Sequence, residues 1–344
     1  MNKTIMIQKN TFLVFFLLSS FFCNLGKAQE EDSSQHKNML ILPSQKTEIQ
    51  TDTTYLALLF KDTSSGSLQE KWSMVFIGKY ADGNTISLRS FSPGDITLSD
   101  IEEPETYRIL SDNRKFYVYK HGGNLSSVDI QGVSHYDDGC NTFFIGTPKN
   151  NPVFDQSLYS QIQGFLQYED EHDQSFSFLA LNKNLAKSNV LNRLPYKPTE
   201  QHLKIIESSI PPEVNRIAYV GENETKDLIF YANLDNIKFY NCVITTPEKP
   251  YLITTVKYGD NWPISSIFIF EQDGEELDLV FTLEDNSWDE LGEHFELFDV
   301  LDIDGDGINE IIIENIGYEN VAIEIYKLIK GHFIRIMIVP LWGC

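Results

Sequence analysis

Between Thr51 and Leu181 the chain is a succession of short apolar runs separated by polar turns, too short and too rich in β-branched and aromatic residues for helices. T-Y-L-A-L-L-F-K predicts one strand. W-S-M-V-F-I-G-K-Y and T-I-S-L-R-S-F predict two more, joined by A-D-G-N, a hairpin signal. F-Y-V-Y-K and S-S-V-D-I-Q-G-V follow, linked through Gly122 and Gly123, and T-F-F-I-G-T and S-F-S-F-L-A-L complete the series. The pattern then changes. Pro195, Pro198, Pro211 and Pro212 punctuate the stretch 182–215, which also holds a helical signal: Thr199 as N-cap of E-Q-H-L-K-I-I-E-S-S, with Leu203, Ile205 and Ile206 apolar. Strand runs resume with R-I-A-Y-V, D-L-I-F-Y-A, F-Y-N-C-V-I-T and Y-L-I-T-T-V-K-Y. The expected fold is mostly β, with an N-terminal β domain at 49–190, a Pro-rich helical connector at 191–213 and a C-terminal β domain at 214–344.

A faint internal repeat lies in the last third. Ile267, Ile269 and Phe270 match Ile323, Ile325 and Tyr326, and Gly274 matches Gly331 with one extra residue. The matched residues are 56 apart, a repeat length that suggests blade-like sheet units, and two unrelated hairpins are the competing reading.

The N-terminus follows a different rule. Lys3 and Lys9 precede T-F-L-V-F-F-L-L-S-S-F-F-C, about a dozen apolar residues, too short to span a bilayer. Gly26 and Ala28 sit where cleavage before Gln29 requires small residues. Residues 1–28 therefore read as a signal peptide and 29–48 as a polar tether. The competing readings are an uncleaved anchor and lipidation at Cys23. The expectation is export to periplasm, outer surface or medium, with no membrane span in the mature chain.

Charge narrows the partners. The formal charge is −23 and becomes −26 once Lys3, Lys9 and Lys27 leave with the signal. Such a field repels phosphate backbones, which disfavours nucleic acid, and it attracts cations. Three mature cysteines, Cys140, Cys242 and Cys344, allow one disulfide in an oxidising compartment, with Cys140–Cys242 slightly preferred.

One segment carries chemistry: D-I-D-G-D-G-I-N-E at Asp302–Glu310. Asp302, Asp304, Asp306 and Glu310 stand at positions 1, 3, 5 and 9, so in a tight turn their carboxylates converge. Gly305 and Gly307 permit the positive φ that such a turn needs. Calcium takes six to eight hard oxygens at about 2.3–2.6 Å, and the Ile308 carbonyl plus water complete the set. Without a cation, two carboxylates about 4 Å apart repel by roughly 4 kcal/mol at an effective dielectric of 20. An EF-hand is excluded, because its bidentate twelfth position is Ile313 here and both flanks read as strands rather than helices.

A D-x-D-G-D-G-x-x-E loop between two strands resembles the FG-GAP or VCBS-type repeats of the integrin-like β-propeller family, over about Glu296 to Ile338. The resemblance implies calcium as cofactor, with Asp302, Asp304, Asp306 and Glu310 as side-chain ligands and Ile308 as the backbone ligand. It also implies a propeller-blade-like C-terminal domain. With a single loop in the chain, a smaller β domain fits better than a full propeller.

Three weaker clusters read as exposed loops or turns: Y-E-D-E-H-D-Q at 168–174, H-Y-D-D-G-C-N at 135–141 and D-N-S-W-D-E-L-G-E-H-F-E at 285–296. G-x-S-x-G, H-E-x-x-H and G-x-x-x-x-G-K-[ST] do not occur. The expected role is that of an exported calcium-binding structural or interaction protein with a protein or glycan partner. The alternatives are a secreted hydrolase with a calcium-stabilised accessory domain and a surface carbohydrate-binding protein.

Overall fold

The computed structural model describes residues 53–62, 71–81, 84–88, 114–137, 142–160, 177–185, 191–221, 224–234, 237–246, 249–259, 264–284, 294–317 and 320–343. The signal peptide, the tether, the 168–174 cluster, Cys140 and Cys344 lie outside these residues, as do 138–141 and 285–293 of the other two clusters. Among the described residues the fold is mostly β, in four antiparallel sheets.

The first sheet contains β1 (Thr54–Asp62), β2 (Lys71–Ala81), β3 (Asn84–Ser87), β4 (Lys115–Lys120), β5 (Gly123–Asp137), β6 (Thr142–Pro148) and β7 (Ser177–Leu181). Its order is β1-β7-β4-β5-β6-β2-β3, and β1 also pairs with β2 along its whole length. The pairings therefore close a six-stranded ring with β3 appended. Closure removes sheet edges and leaves an interior that side chains fill. Tyr55, Ala57 and Leu59 of β1, with Phe76, Phe116, Val118 and Phe144, form that inner core. The intervening residues Leu56, Leu58 and Phe60 are buried as well, in a second core. Both faces of β1 are covered, which is why T-Y-L-A-L-L-F-K is continuously apolar instead of alternating.

The second core is shared. Its other wall is a four-stranded meander of β15 (His294–Leu301), β16 (Glu310–Ile316), β17 (Asn320–Ile329) and β18 (His332–Gly343), through Phe298, Ile312, Ile323, Ile325, Met337 and Val339. The opposite face of that meander, with Phe295, Leu297, Ile311, Ile313 and Tyr326, packs on Ile253, Ile267 and Ile269. Those three belong to a five-stranded sheet of β8 (Arg193–Pro195), β11 (Lys238–Thr246), β12 (Lys249–Tyr258), β13 (Ile264–Asp273) and β14 (Glu276–Leu283). Beyond it lie α1 (Glu200–Ser209) and the hairpin of β9 (Glu213–Gly221) and β10 (Glu224–Tyr231), over Leu252, Val256, Phe268 and Phe270. The meander is thus the middle layer of a stack.

Local signals act as expected. Thr199 caps α1, its hydroxyl accepting from the His202 N–H, and Ile206 is the buried anchor of that helix. Lys330 and Gly331, both at positive φ, make the two-residue turn between β17 and β18, as a type I′ hairpin requires. Gly274 alone takes positive φ between β13 and β14. The two repeat-like segments are hence both hairpins, turned by different turn types. Cys242 is a free, fully buried thiol, so the preferred Cys140–Cys242 disulfide is not formed. Its apolar surroundings push the thiol pKa up to about 12.

Candidate metal centre

The loop Asp302–Glu310 joins β15 to β16, with Leu301 opposite Glu310 where the two strands part. Gly305 (φ 82°) and Gly307 (φ 92°) turn the chain; a Cβ at either would meet nothing within 4 Å. Glycine is needed there for backbone conformation, not for space. The carboxylates organise the backbone. Asp302 Oδ1 accepts from the Gly305 N–H (2.7 Å) and Oδ2 from the Gly307 N–H (2.9 Å). Asp304 Oδ1 accepts from Asp306 N–H (3.1 Å), Asp306 Oδ1 from Ile308 N–H (2.8 Å) and Glu310 Oε2 from Ile303 N–H (2.7 Å). Asp302, Asp304 and Glu310 each present an oxygen, and these three atoms lie within 4.8 Å of one another.

A cation already touches this cluster. Nζ of Lys327 on β17 stands 2.5 Å from Asp304 Oδ2, 2.8 Å from Asp306 Oδ2 and 2.9 Å from Glu310 Oε1. The Glu310 contact is an ion pair without hydrogen-bond alignment, so this fully buried oxygen keeps acceptor capacity. Burial pushes the Glu310 carboxyl up to about 7, against the opposing pull of the Ile303 N–H and Lys327. Burial also raises Asp302, which Lys327 does not reach. Asp304 goes the other way: burial would raise it, but the Lys327 ammonium, the Asp306 N–H and the Tyr80 hydroxyl together hold it below the usual range. Tyr80 belongs to β2, so the closed sheet reaches the loop directly. A cleft of about 10 Å³ with a mostly apolar wall lies beside the loop, between Leu56, Tyr80, Ile303, Asp304, Glu310 and Met337.

The loop is wired to the third layer too. Asn309 Nδ2 donates to Val243 O (2.7 Å) and its backbone N–H to Ile244 O (2.7 Å), both on β11. Asn309 Oδ1 accepts from Asn192 Nδ2 (3.1 Å), which also donates to Val300 O. Beside it sits a buried polar knot. A β-bulge at Leu297–Asp299 reverses the side-chain parity of β15 and aims Asp299 at the β4–β5 turn, where its Oδ1 accepts from Gly122 N–H (2.8 Å). That turn is His121-Gly122, both at positive φ, and a Cβ on Gly122 would come 2.5 Å from Asn192 Nδ2. Arg193 Nη1 donates to Phe298 O (3.1 Å) and its guanidinium lies 4.1 Å from the Tyr240 ring centroid.

Of the five residues predicted as ligands, Asp302, Asp304 and Glu310 are brought together, while Asp306 is the most exposed acid and joins Asp304 and Glu310 through Lys327. Ile308 is half-buried against the third core, the one between the meander and the five-stranded sheet. Ile313 is fully buried in that same core and Glu314 stands four residues along β16, opposite Ile323. Sequence reasoning missed Lys327, Tyr80 and Asn309. For Lys327 a signal existed: Ile311 pairs with Tyr326, so counting outward along the β16–β17 hairpin sets Lys327 opposite Glu310. No family model matches the chain, and neither a curated protein nor a solved structure matches it.

Proposed function

We propose that this chain is an exported calcium-binding structural or interaction protein in which the Asp302–Glu310 loop holds the ion. The observation that carries the reading is the convergence of Asp302, Asp304 and Glu310 oxygens within 4.8 Å on a glycine-hinged loop. All the donors are hard oxygens, the set that suits calcium over softer metals. The cluster also holds a positive charge already, in Lys327. Asp304, Asp306 and Glu310, with the Ile308 carbonyl, would complete the ligand set around Asp302.

The ion's role follows from what the loop touches. Tyr80 ties it to the closed sheet and Asn309 to β11, so neutralising the carboxylates tightens the joint between three layers. The four-stranded meander, packed face to face on a second antiparallel sheet, supports a blade-like reading akin to FG-GAP or VCBS repeats. Calcium would then rigidify a surface that docks a protein or glycan outside the cytoplasm, after loss of residues 1–28.

Melting the mature protein in millimolar calcium and in chelator tests this. A ligand at 100 times its dissociation constant adds about 2.7 kcal/mol, a shift of several degrees for a domain of this size. Coincident melts sink the reading. A mature terminus at Gln29 is expected from N-terminal sequencing; retention of residues 1–28 would make the segment an uncleaved anchor, and a lipidated start at Cys23 would make the chain a lipoprotein.

A further inference from the structure

We infer that the Lys327 ammonium is the loop's built-in counter-ion and that a divalent cation must expel it to bind, so loading the site and releasing Lys327 are one event. The inference rests on the calcium reading of the loop and adds a device to it. The β16–β17 register places Lys327 across from Glu310, and its side chain is only 11% exposed. Here three carboxylates, Asp304, Asp306 and Glu310, stand 2.5, 2.8 and 2.9 Å from the nitrogen.

Calcium needs Asp304 and Glu310 oxygens at nearly the same separation, about 2.3–2.6 Å. Two cations within such reach of the same buried oxygens would repel strongly, since little water intervenes to screen them. The two states are therefore exclusive. The carboxylates are also unevenly shared. Among the described residues Asp302 accepts from loop N–H groups and forms no ion pair with Lys327, which leaves it as the landing point for an incoming ion. Asp306, with a side chain 44% exposed, lies on the solvent side and gives the displaced ammonium a carboxylate to follow outward. Lys327 thus keeps the empty loop folded and sets a threshold: the ion binds only when abundant enough to outcompete a tethered charge.

Two measurements on the full mature chain test the inference. Calorimetric titration with calcium compares wild type with Lys327→Met, which keeps the aliphatic stem and removes the charge. The variant is expected to bind about ten-fold more tightly, about 1.4 kcal/mol, and to melt lower than wild type in chelator. Equal or weaker calcium affinity in Lys327→Met, with wild type binding, overturns the inference and leaves the calcium reading standing. Absence of calcium binding in both proteins overturns the two together. The second measurement needs no variant. The ¹⁵N signal of the Lys327 ammonium, protected by its carboxylates, should fade as calcium is added to wild type. A signal unchanged at saturating calcium overturns the inference even where Lys327→Met fails to fold.

Discussion

Asp299 and Glu310 are carboxylates eleven residues apart, one on each side of the same loop, and both are essentially fully buried. Their surroundings are opposite. Asp299 Oδ1 accepts two backbone N–H groups, from Gly122 and Val300, and the carboxylate faces the charges of Lys120 and Arg193. Glu310 accepts one backbone N–H and faces two other acids and a single lysine. Burial raises both carboxyls, and only around Glu310 is negative charge left over. A buried acid that faces two positive charges fastens layers together, even with one oxygen outside the hydrogen bonds as at Asp299 Oδ2, whereas one surrounded by acids calls for a cation. The knot at Asp299 should therefore ignore metal, and the loop at Glu310 should respond to it.

The largest effect expected from this contrast is at the knot. Asp299→Ala removes a buried acid and strands the Gly122 N–H and the Arg193 and Lys120 charges, a loss of about 3–5 kcal/mol. Denaturant unfolding should give the same loss in calcium and in chelator, and Asp299→Asn, which keeps an acceptor, should lose less. Rescue of Asp299→Ala by calcium would erase the distinction between the two regions.

One group in each region, Glu310 in the loop and His121 in the knot, carries pH dependence of opposite sign. Glu310 titrates at about 7 in the folded chain against 4.5 ordinarily, so between those values the folded state holds a proton that the unfolded state has released. Metal-free stability contributed there falls as pH rises through that window, by up to about 3 kcal/mol. Glu310→Gln should abolish this slope in chelator. His121 has the reverse sign. Burial, with Arg193 and Lys120 nearby, holds it well below 6.5, so the unfolded chain takes up a proton that the folded one refuses. Stability contributed there falls as pH drops below 6.5. His121→Asn, a residue tolerant of the left-handed turn, should flatten that acid arm. Slopes of the same sign would break the comparison.

A smaller effect tests how the regions connect. Asn309→Ala takes the side-chain donor from Val243 O and one of the two acceptors from Asn192 Nδ2, which keeps Val300 O, about 1–2 kcal/mol. Combined with Glu310→Gln, the losses should depart from additivity by at least about 0.5 kcal/mol. Strict additivity would mean that the loop and the β11 layer are independent.

Much of this was visible in local pattern and little in long-range pairing. The apolar runs, the Thr199 cap and the glycine-hinged acid loop announce themselves because each depends on neighbours a few residues away. Ring closure depends on β1 meeting β7, with Ala57 opposite Ala180, and no local signal encodes that partnership. The knot gathers His121 from the β4–β5 turn, Asn192 and Arg193 from the start of β8 and Asp299 from β15, and reads in sequence as four unremarkable polar residues. Asp299 in particular sits within F-E-L-F-D-V-L, where an unbulged strand would give it the parity of Phe295 and Leu297 and aim it at the third core. Lys327 lies between legible and hidden: its place follows from hairpin symmetry, but its role depends on a register fixed by tertiary packing.

Calcium titration calorimetry on Glu310→Gln, Asp304→Asn and Glu314→Gln beside wild type decides whether the loop holds calcium and closes at Glu310. Each strand residue advances about 3.3 Å, so Glu314 stands about 13 Å beyond Glu310, outside the reach of one ion. Glu310→Gln and Asp304→Asn should lose calcium binding by at least about ten-fold while Glu314→Gln keeps the wild-type affinity. Equal damage from Glu314→Gln, or undiminished binding in Glu310→Gln, would contradict closure at Glu310.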